Sequence, residues 1–164
     1  MYAWKQIKAI LLLPSTVTIV IPATILYCTE WSLSYKILPI IGSLFVIVGL
    51  ALMVWTNRLF TTVGKGTLAP WNPPQRFVVR GIYQHVHNPM LLGVFSILVG
   101  EAIFFGSPPL LGLFAIFCLL NMIYIPFVEE PGLVKRFGED YLLYSQNVPR
   151  WIPRWKPWEG GEGE

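Results

Sequence analysis

The sequence predicts an all-α fold: a polytopic membrane bundle of about four spanning helices with a C-terminal helix lying at the membrane surface. Three observations predict it. Of the 164 residues, 54% are hydrophobic and 13% charged, about half the charged share of a soluble domain. The apolar residues collect into four windows, roughly 9–28, 37–56, 89–106 and 108–128. All twelve basic residues lie outside those windows. A hydrocarbon core of about 30 Å takes about twenty residues at about 1.5 Å each, and the windows reach that length or come near it. The whole chain, 1–164, reads as one membrane domain.

The first window holds Pro14 and Pro22, which remove backbone donors but are tolerated in membrane helices when neighbours repair the backbone. It reads as scaffold. As a signal peptide it is too long and lacks a small-residue cleavage site. The second window is plainly apolar. Between it and the third lies a loop from Asn57 to His87, broken by Gly64, Gly66, Pro70, Pro73 and Pro74. Its Phe60, Leu68, Trp71, Phe77, Val78 and Val79 predict a segment packed at the membrane surface, and loops of this length are usually functional.

Asn88-Pro89 predicts the start of the third span, with asparagine as cap and proline at the first helical position. A turn near Gly106 to Pro109 makes the third and fourth windows an antiparallel hairpin. Beyond Pro131, Leu133, Phe137, Tyr141, Tyr144 and Val148 share one helical face, with Lys135, Arg136, Glu139 and Asp140 off it. That pattern predicts a helix across the mouth of the bundle, followed by an aromatic anchor in Trp151, Trp155 and Trp158.

Charge sets the orientation, because lysine and arginine near span ends stay cytoplasmic. With both termini cytoplasmic, eleven of the twelve basic residues share one side: Lys5, Lys8, Arg58, Lys65, Arg76, Arg80, Lys135, Arg136, Arg150, Arg154 and Lys156. The outer turns keep Lys36, Glu30 and Glu101. The net charge of +3 then serves orientation and anionic headgroups, and no basic stripe suits nucleic acid. Cys28 and Cys118 read as buried and inert, and the His85/His87 spacing suits no metal site.

The polar residues at the membrane edge carry the chemistry. GIYQHVHNPMLLG, residues 81–93, opens the third span, and Glu129-Glu130-Pro131 closes the fourth. The hairpin brings these two ends side by side. Alone, Asn88-Pro89 is a cap and two terminal glutamates are headgroup solvation. Together they mark a site, since ionisable groups near membrane depth are costly. Adjacent helical residues point about 100° apart, so one glutamate faces the site and the other anchors the chain, through Arg80, Arg136 or Arg150.

The runs GKGTLAPWNPPQRFVVRGIYQHVHNPMLLG and VEEPGLVKRFGEDYLLYSQNVPRWIPR carry a resemblance. They are similar to the integral-membrane methyltransferases grouped with isoprenylcysteine carboxyl methyltransferase and phosphatidylethanolamine N-methyltransferase, over about residues 58–154. Gly81, Tyr83, Asn88, Pro89, Gly93, Glu129, Glu130, Phe137, Gly138 and Tyr141 match the family pattern. His87 stands where arginine is usual and Leu91 where tyrosine is usual. Loss of a permanently charged, bidentate arginine weakens any preference for an acidic acceptor.

The resemblance implies a compact bundle whose last two spans and tail wrap S-adenosylmethionine at the cytoplasmic face. Its methyl acceptor is a lipophilic molecule embedded in the membrane. Methyl transfer asks an enzyme mainly to position donor and acceptor and to exclude water, which fits a chain without a nucleophile triad or nucleotide fingerprint. The residues that would contact the cofactor are Tyr83, Val86, His87, Asn88, Pro89, Gly93, Tyr124, Glu129, Glu130 and Tyr141, with His87 and Glu130 as the catalytic candidates. Two alternatives stand beside it: a membrane reductase of the sterol-reductase type using NADPH, and a non-catalytic lipid-binding subunit.

Overall fold

The computed structural model of the chain describes residues 15–29, 37–64 and 77–160. Among them every regular element is a helix. The expectations for residues 9–14, 66–74 and 161–164, and for Lys5, Lys8, Glu30, Lys36, Lys65 and Arg76, fall outside the described residues. The helices are α1 (Thr16–Cys28), α2 (Leu38–Thr62), α3 (Pro89–Phe105), α4 (Pro108–Phe137) and α5 (Glu139–Asn147), with a short 3-10 turn at Gly81–Gln84 before α3.

Two helical stretches, Leu38–Leu59 and Pro108–Phe137, are long and apolar enough to cross a membrane, while α1 and α3 are apolar but shorter. Large side chains such as Ile40, Ile47, Ile116 and Phe127 face outward, as they do where the surroundings are lipid.

Among the described helices, α2 and α3 pack most closely, along glycines seven residues apart on each. Gly42 lies against Gly100 and Gly49 against Gly93 in an antiparallel register. A Cβ added at Gly42 would stand 2.6 Å from the Gly100 carbonyl oxygen, and one at Gly49 would stand 2.5 Å from that of Gly93. Backbone against backbone is how helices associate where lipid tails leave little hydrophobic drive between them. Ser96 adds a hydroxyl donated to the Phe45 carbonyl across the same seam, at 2.7 Å. The α3–α4 hairpin turns at Gly106, whose φ of 55° is left-handed, with the Gly106 and Ser107 N–H groups returning to Ile103 and Ala102.

Helix α4 departs from the sequence expectation. It does not end near residue 128; it continues through both glutamates to Phe137. A π turn at Ile125–Glu129 makes this possible, the Glu130 N–H reaching back to the Ile125 carbonyl. Pro126 and Pro131 each remove a donor from the ladder, and the wider turn accommodates them without stopping the helix. The same device precedes Pro22, where Thr16–Val20 is a π turn.

The surface helix expected beyond Pro131 is likewise two pieces. Gly138, with φ 60° and ψ −131°, separates the end of α4 from α5. The predicted stripe nevertheless gathers: Val79, Tyr141, Tyr144 and Val148 form a buried cluster with Phe77, Leu133, Val134, Phe137 and Trp158 packed on it. Trp158 therefore belongs to this core, not to an anchor, whereas Trp155 is almost wholly exposed. Glu101 lies within α3 and not in an outer turn, with one carboxylate oxygen buried and unpartnered. Cys28 is exposed and Cys118 half-buried, so neither is a core cysteine.

The tail after α5 runs back along the segment before α3. The His87 N–H donates to the Pro149 carbonyl, Arg154 N–H to His85, and Trp158 N–H to Gln84, at 3.0–3.1 Å. The His85 Nδ1–H donates to the Arg154 carbonyl at 2.7 Å. This strap fixes residues 84–87 at the end of the bundle.

Candidate active site

Asn88 caps α3: its side-chain oxygen accepts the Leu91 N–H at 3.2 Å, and Pro89 follows at the first helical position. The other end of the Asn88 amide points across to α4, where Nδ2 stands 3.5 Å from a Glu129 oxygen. One side chain thus satisfies the helix start and links the two motifs.

Glu130, the next residue, is buried, and Arg150 from the tail donates to both of its oxygens, at 2.5 and 2.9 Å. A guanidinium fork on a carboxylate is the strongest common side-chain pairing, and here it ties the tail to α4. It also holds the Arg150 guanidinium above its ordinary pKa, chiefly through that hydrogen bond.

His87 completes the group. Its side chain is 6% exposed, and Nδ1 lies 3.8 Å from the Glu130 oxygen, too far for a hydrogen bond. Neither ring nitrogen has a partner. The ring stacks on Tyr144, centroids 4.9 Å apart at 28°. Tyr144 is in turn fixed by its hydroxyl, which donates to the Tyr83 carbonyl at 2.7 Å, with the Val86 carbonyl a second acceptor at 3.2 Å. Burial lowers the His87 pKa; Glu130 and the nearby Tyr144 backbone, which is too poorly placed for a normal hydrogen bond, oppose that shift, and Arg150 adds to it. Burial also raises Tyr83, Tyr141 and Tyr144 above the ordinary phenol value, so these hydroxyls stay neutral.

Of the residues singled out from sequence, Tyr83, Val86, His87, Asn88, Pro89, Glu129, Glu130 and Tyr141 meet at this end of the bundle. Gly93 lies one turn into α3, committed to the α2 seam, and Tyr124 is half exposed on the outer face of α4. Sequence reasoning passed over Tyr144 as a clamp. Its place on the apolar stripe was legible, but the carbonyls it grips are 61 and 58 residues away along the chain. An apolar recess lined by Ala102, Ile103, Gly106 and Leu111 lies at the α3–α4 turn, the opposite end from the carboxylates.

Apolar helices capped at one end by paired carboxylates, phenols and an unpartnered imidazole define a helical membrane protein with a polar site at the bundle end. A family model described as phospholipid methyltransferase matches residues 37–140, which takes in α2, α3, α4 and both polar motifs. The chain belongs to that family, and the family implies a methyltransferase enzyme acting on lipid. No curated protein and no solved structure matches it significantly.

Proposed function

We propose that this protein transfers a methyl group from S-adenosylmethionine to a lipid headgroup at the cytoplasmic end of a four-span bundle. The observation that carries this is the convergence, at one bundle end, of Glu129, the capped start of α3 and two buried, unpartnered nitrogens on His87. Buried polar atoms without partners are rare in native proteins and call for an explanation, and a bound polar ligand supplies one here. S-adenosylmethionine brings an ammonium, a carboxylate, a ribose diol and the methyl-bearing sulfonium.

The residues present fit such a molecule. Glu129 keeps acceptor capacity beyond its single long contact with Asn88 and suits the ammonium or the diol. The first-turn donors of α3 suit the carboxylate. The Tyr141 ring suits a cation. Glu130 is the less available carboxylate, since Arg150 holds both of its oxygens. The sequence favours Glu130 slightly as the cofactor ligand; the geometry favours Glu129, with Glu130 holding the tail and facing His87. Water exclusion is supported by the tail strap and the aromatic cluster behind it.

Isothermal titration of the detergent-solubilised protein with S-adenosylmethionine and with NADPH tests this reading. Binding of the first and not the second is expected. Glu129→Gln should weaken that binding by about ten- to a hundredfold, the scale of one lost charge-assisted contact. Glu130→Gln should chiefly lower the unfolding temperature. NADPH binding alone would point to a reductase, and binding of neither to a non-catalytic lipid-binding subunit.

A further inference from the structure

We propose that His87 is the base of this site, taking a proton from the headgroup ammonium of an amine lipid before its nitrogen is methylated; this rests on the methyl-transfer reading above. An ammonium has no lone pair to offer, so an amine that arrives protonated must give up a proton first. The charged and titratable groups around His87 are Glu130 of α4, Tyr141 and Tyr144 of α5 and Arg150 of the tail, with Glu129 of α4 against the adjoining Asn88.

None of those five groups is suited to take the proton, Arg150 because its guanidinium stays protonated, and neither is the second histidine. Both oxygens of Glu130 are held by Arg150. Glu129 accepts from Asn88 and is committed to the cofactor by the reading above. The phenols of Tyr141 and Tyr144 are neutral and already carry their protons. His85 is engaged with the Arg154 carbonyl through Nδ1. His87 remains, with both nitrogens buried and unpartnered.

Its setting defines which nitrogen acts. Nδ1 faces the Glu130 carboxylate at 3.8 Å, which favours the tautomer carrying hydrogen on Nδ1 and leaves the buried Nε2 as the unprotonated nitrogen. Tyr144 fixes the plane of the ring. In the step, one N–H bond of the ammonium breaks and the proton bonds to Nε2. The pair left on the amine nitrogen forms the bond to the methyl carbon as the donor's sulfur–methyl bond breaks, and S-adenosylhomocysteine leaves with that bond's electron pair on its sulfur. The imidazolium formed lies beside Glu130, whose charge offsets it, and Arg150 keeps that carboxylate in place. The proton passes to water when the product leaves. Burial keeps the imidazole neutral, and so able to accept, at neutral pH.

The test uses the full chain in nanodiscs containing phosphatidylethanolamine, supplied with S-adenosylmethionine, from about pH 5.5 to about 9.5. His87→Gln should lower kcat at neutral pH by about 10²–10⁴-fold, the usual yield of a positioned base. With cofactor affinity measured on the same variant and kcat read at saturating cofactor, the fall in kcat should exceed any loss of binding. The deficit should shrink toward high pH, as free amine begins to form unaided. The chain has only two histidines, so ring NMR of the unaltered protein should assign one titration to His87 at the pH of the acidic limb of kcat. A His87→Gln enzyme with the parent's kcat, a deficit of equal size at both ends of the pH range, or a His87 titration away from that limb would overturn the proposal. Cofactor binding without turnover on any lipid would count against methyl transfer itself; turnover indifferent to His87 counts against the base alone.

Discussion

Arg150 grips Glu130 with two nitrogens while Asn88 reaches Glu129 with one long contact, and that inequality separates two carboxylates adjacent in sequence. The neighbouring imidazole adds a pH dependence to stability. In the unfolded chain a histidine takes up its proton at about pH 6.5. Buried His87 does so only at lower pH. Between those values the unfolded chain holds more protons, so stability falls as pH drops through a window that opens at about 6.5 and closes at the lowered folded value. Above the window this contribution is fully present. Thermal unfolding in detergent, followed from neutral pH downward, should show that decline, and His87→Gln should flatten it. An unchanged slope in the variant would assign the acid sensitivity to other groups.

At the scale of elements, the α2–α3 seam and the π turn in α4 position the site. Gly49 and Gly93 leave no room for a side chain, because the nearest atom in the way at each is the other's backbone carbonyl oxygen. Gly49→Ala should therefore force the helices apart and destabilise by about 1–3 kcal/mol, the usual cost of overpacking. A lowered unfolding temperature checks it, with Gly112→Ala as comparison, since nothing lies within 4 Å of a Cβ there. Alanine at both sites unfolding alike would mean the seam is loose in the membrane. The seam bears on the site because it fixes the start of α3, where Asn88 sits, relative to the end of α2. The π turn sets the direction of Glu129 and Glu130 by changing how far each residue rotates about the α4 axis.

Across the whole molecule, the strap from Pro149 to Trp158 closes the polar end, while the rest of the described surface is rich in exposed apolar side chains. On the methyl-transfer reading proposed above, a lipophilic acceptor would come sideways out of the bilayer and the water-soluble cofactor from the aqueous side. Short-chain soluble analogues of a good lipid acceptor should therefore turn over poorly even at saturating cofactor. Comparable turnover for soluble and bilayer-borne acceptors would remove the case for a membrane entrance.

The sequence by itself determined the helical membrane class, the Asn88 cap, the Gly106 hairpin and the two polar motifs that share a level. Each of these follows from local chemistry: apolar run length, a side chain bonding three residues on, a left-handed glycine, and the cost of charge near lipid. It also carried the paired seven-residue glycine spacing of the α2–α3 seam, which meant nothing until the two helices were seen to pass in register. Only the tertiary structure decided that α4 runs on through Pro131, because a proline stops a helix or is absorbed by a π turn according to what the continued helix can pack against. Only it gave Arg150 to Glu130 and left His87 without a partner. Those contacts join residues distant in the chain, and charge pairing depends on distances that no local pattern encodes.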